Sequence, residues 1–320
     1  MDDLAPRDFR GYGRSGPRVT WPGGARVAVS FVLNYEEGGE RNVLDGDAQS
    51  ETYLVPDIVG TTAKAGRSAF AEDAFEYGSR AGFWRLMRLF EDRRLPFTCW
   101  AVGLALLRNP EAGRAMAEAG HEVASHGWRW IDYADMAEAE EREHIRKAVA
   151  AIAEVAGQPP QGWYTGRCSA NTRRLVMEET GTLYDSDAYN DDLPYWTSVA
   201  GRPRLIVPYA LDTNDFKFAM SPGWMSGGDF LAYLEAAFDQ LYREGAREPK
   251  MMSIGLHARL SGRPGRTDAL ARFMDHVARH EHVWVCRRVE IARHWMAHHP
   301  PDASRPSGNS RGPEPLENVA

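Results

Sequence analysis

Strand-like and helix-like segments alternate along almost the whole of this 320-residue chain, and that alternation constrains its fold more than any other feature. Residues 26–33 are apolar and β-branched behind the breakers Pro22, Gly23 and Gly24, and so predict a strand. Residues 82–93 then carry Phe83, Trp84, Met87 and Phe90 at helical spacing. Further strands are predicted at 97–102, 121–125, 162–165, 183–187, 205–209, 251–256 and 282–286. Further helices are predicted at 110–119, 137–156, 229–244, 267–279 and 288–298. Pro110 suits a first helical turn, while Gly120 and Gly157 suit the stops. Repeated strand–helix units require right-handed crossovers and a mostly parallel sheet, and one α/β barrel commonly reaches this length.

The ends read differently. Residues 1–20 form an arm containing Phe9 and Tyr12, suited to packing on a neighbour. Residues 21–300 form the barrel domain, and 301–320, rich in Pro, Ser, Gly and Asn, form a tail expected to be disordered. Residues 45–72 make an excursion of a length used for lids or oligomer contacts. A net charge of −7 argues against nucleic acid or an anionic membrane as partner. No segment approaches the roughly 18 uninterrupted apolar residues of a membrane span. Cys99, Cys168 and Cys286 lack paired spacing, and residues 1–17 lack the apolar core of a signal peptide. Both point to reduced thiols in a soluble, cytoplasmic protein.

Polar residues gather where strands end. Glu36 and Glu37 follow the first strand, His126 follows 121–125, and His257 follows 251–256. Tyr164 and Arg167 lie at the end of 162–165, Asp185 and Asp187 close 183–187, and Asp212, Asn214 and Asp215 follow 205–209. In a parallel barrel these ends converge on one mouth, where active sites are built. The bland alternatives stay open. Glu36 and Glu37 also fit a solvated turn before Gly38-Gly39, and Arg167 fits an ion pair with Asp185 or Asp187 as well as a clamp on a planar polar substrate. His121 starts a strand and reads as structural, while His144, His276, His280, His282, His294, His298 and His299 read as surface residues. Cys168 has no base fixed beside it, so a covalent thiolate mechanism is not expected. A histidine four residues after His126 would signal a metal site, but Trp130 stands there.

Several runs together resemble the polysaccharide deacetylase superfamily, and within it the cofactor-independent allantoinases and the cyclic-imide hydrolases near them. They are FVLNYEEGGER at 31–41, EYGSRAGFWRL at 76–86, SHGWRWIDY at 125–133, GWYTGR at 162–167, NTRRLVMEE at 171–179, DDLPYW at 191–196, LDTND at 211–215 and SIGLH at 253–257. The resemblance implies a single distorted (β/α) barrel of the NodB-like, seven-stranded type and a homotetramer. Deacetylases of this family carry an aspartate pair, one a general base and one a metal ligand, and two histidines four residues apart. Glu36 and Glu37 hold the positions of the first pair, and His126 and Trp130 those of the second. If a metal is bound, Glu37 and His126 are its matching ligands, with Asp187 or His257 as a third. Two matching donors are fewer than zinc takes, so no cofactor is expected, zinc included.

A cyclic amide is easier to open than an acetamido sugar, because its ring nitrogen departs as a delocalised anion. The expected activity is ring-opening hydrolysis of a cyclic amide, allantoin to allantoate in purine catabolism. Glu36 or Glu37 would be the base, His126 and His257 would orient and protonate, and Trp130, Tyr164, Arg167, Asp187, Asp212, Asn214 and Asp215 would hold the ring. The alternatives are a cyclic-imide or hydantoin-type hydrolase, a metal-dependent carbohydrate N-deacetylase, and a barrel that binds without catalysing.

Overall fold

In this computed structural model the described residues are 7–14, 16–55 and 65–301. Residues 302–320 of the expected 301–320 tail, part of the arm and part of the 45–72 excursion lie outside them. The strands are β1 (Val27–Tyr35), β2 (Thr98–Ala101), β3 (Glu122–Ser125), β4 (Gly162–Trp163), β5 (Tyr184–Asp185), β6 (Tyr195–Val199), β7 (Arg202–Ile206), β8 (Lys250–His257) and β9 (Val283–Val285). The helices are α1 (Ala69–Tyr77), α2 (Phe83–Arg93), α3 (Gly103–Arg108), α4 (Pro110–Glu118), α5 (Glu138–Ala156), α6 (Thr172–Glu179), α7 (Gly227–Glu244), α8 (Ala258–Ser261), α9 (Pro264–Ala278) and α10 (Arg288–His298).

The sheet runs β6-β7-β5-β4-β3-β2-β1-β8, with β9 also paired to β1. All pairings are parallel except the β6–β7 hairpin. The expected parallel barrel is therefore present. Its seven-strand path is β1–β5, β7 and β8, and the hairpin strand β6 and the short β9 are added to it.

Period-two alternation in β1 sorts the core. Val27, Val29, Phe31, Leu33 and Tyr35 face an outer layer that includes Phe83, Phe90, Phe238 and Phe273 from α2, α7 and α9. Ala28 and Val32 face an inner cluster with Trp100, Tyr164 and Tyr209. Each such fully buried large apolar side chain contributes about 1.5–3 kcal/mol. The inner face also holds Arg288, wholly buried, which donates to Ser253 Oγ at 2.7 Å, to Ser186 Oγ at 3.0 Å and to the Val207 and Pro208 carbonyls. It thereby ties β8 to the β5–β7 side, across the seam where β8 meets residues 213–214 through the Asn214–Gly255 bridge. A buried arginine is tolerated only when its donors are matched in this way.

Local signals explain most of the boundaries. Ser226 caps α7 in a capping box with Asp229, which starts the helix two residues before the expected 229. Gly157 (φ 78°) ends α5 as expected. Helix 82–93 proves to be the second half of a longer run, α1 joined to α2 through a π turn, Gly78–Gly82. The short α3, α6 and α8 and the hairpin strand β6 were not expected. In the described part of the arm, the Tyr12 hydroxyl donates to the Pro194 carbonyl at 2.6 Å and Val19 is buried, so this segment packs on its own barrel. No helix among the described residues is long and apolar enough to cross a membrane.

Candidate active site

The β1 alternation continues past the strand end and separates the two glutamates. Glu36 follows the inner parity and meets the ends of β3 and β8. Glu37 follows the outer parity and lies against the π turn. A Cβ at Gly78 would sit 2.3 Å from Glu37 Oε1, and one at Gly82 would sit 2.0 Å from the Ala258 carbonyl oxygen. Two glycines thus let the turn close on both Glu37 and the segment that follows His257.

Glu36, His126, His257, Asp215 and Arg259 form one buried charge cluster, none more than 5% exposed. Glu36 Oε1 lies 3.2 Å from His126 Nε2 and 3.4 Å from His257 Nε2. Its Oε2 accepts from Arg259 at 2.7 Å. His257 Nδ1 lies 2.6 Å from Asp215 Oδ1, and the His257 backbone N–H donates to Asp215 Oδ2 at 2.8 Å. Ser261 anchors the same Oδ2 through its hydroxyl at 2.6 Å and its N–H at 3.1 Å. His126 continues the ladder by donating its N–H to the Ala101 carbonyl. Its Nδ1 is buried and has no hydrogen-bond partner among the described residues.

The electrostatics follow from these contacts. Burial alone would push the Glu36 carboxyl up, but Arg259, His257 and the hydrogen bond from His126 outweigh it and hold it well below the usual range. Burial raises Glu37; Arg259 at 3.5 Å opposes the rise, and repulsion from Glu36 adds to it. Burial would lower His257, yet Glu36 and Asp215 on either side raise it to about 9. Glu36 is therefore the ionised carboxylate and His257 an imidazolium at neutral pH.

Trp130 is buried beside this cluster, with the Arg259 guanidinium 5.0 Å from its ring centre. Arg167 lies 4.6 Å over the same indole and donates to the Trp130 carbonyl at 3.0 Å. Tyr53, half exposed, stacks on Trp130 at 5.8 Å. Tyr53 and Arg167 are the most exposed of this group and form its outer side. The Tyr164 ring packs 5.0 Å from His126, and its hydroxyl meets that of Tyr189 at 3.0 Å.

The expected residues divide accordingly. Glu36, Glu37, His126, His257, Asp215 and Trp130 come together, with Tyr164 and Arg167 beside them. Asp215 contacts His257 rather than open space. Asp187 accepts from the Thr165 and Gly166 N–H groups, and burial and Asp185 raise it to about 7, so it holds the loop after β4. Asn214 donates to the Tyr209 hydroxyl and caps the next turn. Asp212 is exposed and accepts from Tyr233 on α7, apart from the cluster. The ion-pair partner of Asp185 is Arg173, not Arg167. Burial pushes the Cys168 thiol well up, with Asp187 adding to the rise, so it is no thiolate. His121 stacks on Phe97 and accepts from its N–H, a structural role.

Arg259 was not anticipated. It is fully buried, donates to the Leu54 carbonyl and lies 4.3 Å over Phe75. Its one signal is position, two residues beyond a strand-end histidine in a run that is otherwise apolar. Tyr53, hidden in the excursion, had none.

A parallel barrel whose strand ends assemble paired carboxylates and imidazoles is a hydrolase architecture. Residues 73–183 match the polysaccharide deacetylase domain. A Schizosaccharomyces pombe protein, named provisionally as a polysaccharide deacetylase, is 48% identical over 298 residues, covering 88% of this chain and 93% of its own. The chain belongs to the polysaccharide deacetylase family. A solved structure described as PuuE allantoinase is 55% identical, with a TM-score of 0.90, covering 93% of this chain and 99% of that one. A second, from Pseudomonas aeruginosa and provisionally described as a polysaccharide deacetylase, is also 55% identical with a TM-score of 0.90, covering 93% and 100%.

Proposed function

We propose that this hydrolase opens a cyclic amide ring, with allantoin as the leading substrate, by chemistry that uses its own side chains in place of a metal. The observation that carries the reading is the Arg259–Glu36 pair. A fixed cation stands beside the carboxylates where the family resemblance implies a divalent ion. The donor set supports this. Trp130 offers no lone pair to a metal, Glu37 Oε2 accepts the Glu36 N–H at 3.0 Å, and Glu37 Oε1 faces Arg259. Among the described residues, these groups do not supply three donor atoms mutually within 4.8 Å. The residues do not fit a metal ion.

The sequence alone left the base between the two glutamates. The geometry favours a different division. Glu36 accepts three charged or imidazole donors and is held too acidic for a strong base. By accepting the His126 Nε2–H, it leaves the lone pair on the orphaned Nδ1. His126 then takes the proton from water as it attacks the ring carbonyl, a step that requires the bound ring to bring water to this buried nitrogen. The His257 imidazolium gives its Nε2 proton to the departing ring nitrogen as the C–N bond breaks, leaving an N–H and a carboxylic acid that then releases its remaining proton to solvent as the carboxylate forms. Asp215 holds His257 protonated and oriented. Arg167 and Tyr53, the more exposed of this group, offer a guanidinium and an aromatic face to a flat polar ring, with Trp130 buried behind them as their support. A well-placed acid or base each contributes about 10²–10⁴-fold.

The relative described as an allantoinase supports the substrate; the relatives named as deacetylases support acetamido sugars instead. Rates on allantoin, hydantoin, succinimide and an N-acetylated oligosaccharide separate these, measured on exhaustively chelated enzyme. Full allantoin turnover after chelation is the expected result. Acetate release, or turnover that returns only with added zinc, would sink the reading.

A further inference from the structure

We propose a second site on the outer helical layer, a transition-metal site between α7 and α9 with Asp239, His276 and His280 as ligands. The donor atoms of these three residues lie within 4.8 Å of one another. His276 and His280 are four residues apart, spanning the end of α9, and their rings are 4.8 Å apart. Asp239 projects from α7 and places Oδ1 2.8 Å from His276 Nε2. Contrary to the surface reading of these histidines, His276 has a side chain only 15% exposed. Phe238 and Tyr242 pack edge-on to His280 at 5.0 and 4.9 Å and wall off one side from water.

The groups behind the ligands are also in place. A metal-bound imidazole uses its other nitrogen to donate to a carbonyl or carboxylate, which fixes the ring and its tautomer. His280 Nδ1 lies 2.9 Å from the His276 carbonyl, so its proton sits there and Nε2 is left with a lone pair. His276 Nδ1 lies 3.7 Å from Glu235, one turn before Asp239 on α7. Ligation through Nε2 would send the Nδ1 proton to that carboxylate. Arg279, exposed, donates to the same Nδ1 at 3.2 Å and swings into solvent when the ion binds. Two imidazoles and one carboxylate with a water in the fourth position suit Zn²⁺. Bound there, zinc clamps two helices that pack on the β1 face of the core. It would also put a metal in the purified enzyme that has no part in the chemistry at Glu36.

The test titrates untagged, chelator-stripped protein with Zn²⁺ against a chromogenic chelator and follows the melting temperature. One zinc per chain and a raised melting temperature are expected. The His276→Gln/His280→Gln variant should melt like stripped wild type and bind none. Glu235→Gln should bind about 10–100-fold more weakly. If the double variant fails to fold, Asp239→Asn takes its place with the same expectation. No zinc bound by wild type, or equal binding by the variants, overturns the site. Neither result touches the ring-opening proposal, which is read on chelated enzyme.

Discussion

Arg259 donates to Glu36 at 2.7 Å with both side chains out of contact with water. A buried ion pair adds modestly to stability while intact, but removing one partner strands the other charge. Arg259→Met should therefore destabilise the fold by about 3–5 kcal/mol in urea unfolding and abolish turnover. Arg259→Lys should recover little. An ammonium cannot reach Glu36 while also making the bond to the Leu54 carbonyl and the contact with Phe75. Wild-type stability in either variant would remove Arg259 from the centre of the site.

Opposite shifts of the two glutamates, Glu36 held down and Glu37 pushed up, give a paired test. Glu37→Gln mimics a carboxyl that burial already keeps toward its protonated form, and should retain activity within about tenfold. Glu36→Gln removes the charge that orients His126 and holds His257 protonated, and should cost about 10²–10⁴-fold in kcat. Circular dichroism of both variants checks that the difference is chemical. The reverse ranking would assign the working carboxylate to Glu37.

The raised His257 links activity and stability to alkaline pH. Its pKa rises from 6.5 unfolded to about 9 folded, so its stabilisation is complete below about 6.5 and is lost as pH climbs through about 9. Glu36 acts at the other end. Held below its usual value, it stabilises above about 4.5 and loses that contribution as pH falls through its folded pKa. Turnover should fall on the alkaline side as the His257 acid deprotonates. Asp215→Asn removes one of the two carboxylates and should move that limb toward neutrality, lowering kcat more than it changes KM. An unmoved limb would show that His257 is not the acid.

Much of this was legible because strand parity and strand-end position are written in the residues. Glu36, His126 and His257 each follow an apolar run, and parallel strands must bring such ends together. Asp187 and Asp212 sit at equally promising ends, yet one binds loop N–H groups and the other faces solvent. Spacing gives the end of a strand, not the direction of the side chain after it. Arg259 and Tyr53 act across long separations in sequence, Arg259 on a carboxylate 223 residues away. No local pattern marks such a pairing. The glycines of the π turn were equally silent, since their role is the space they leave for Glu37 and the Ala258 carbonyl.

Trp130 gives the last test, because it separates a missing ligand from an occupied site. Trp130→His restores the spacing of two histidines four residues apart, His126 and the new one. If the indole alone kept metal out, this variant would bind zinc near the glutamates. The Arg259 guanidinium, however, lies 5.0 Å from the ring that histidine would replace and is bonded to Glu36. A dication there would meet a buried, permanent positive charge at short range, where a low local dielectric makes repulsion large. Trp130→His should therefore gain no zinc at the strand ends, measured in the His276→Gln/His280→Gln background so that the outer site contributes nothing. Zinc should bind once Arg259→Met is added and the two carboxylates need a new counterion. Tight binding by the single variant would mean that the tryptophan, and not the arginine, excludes the metal.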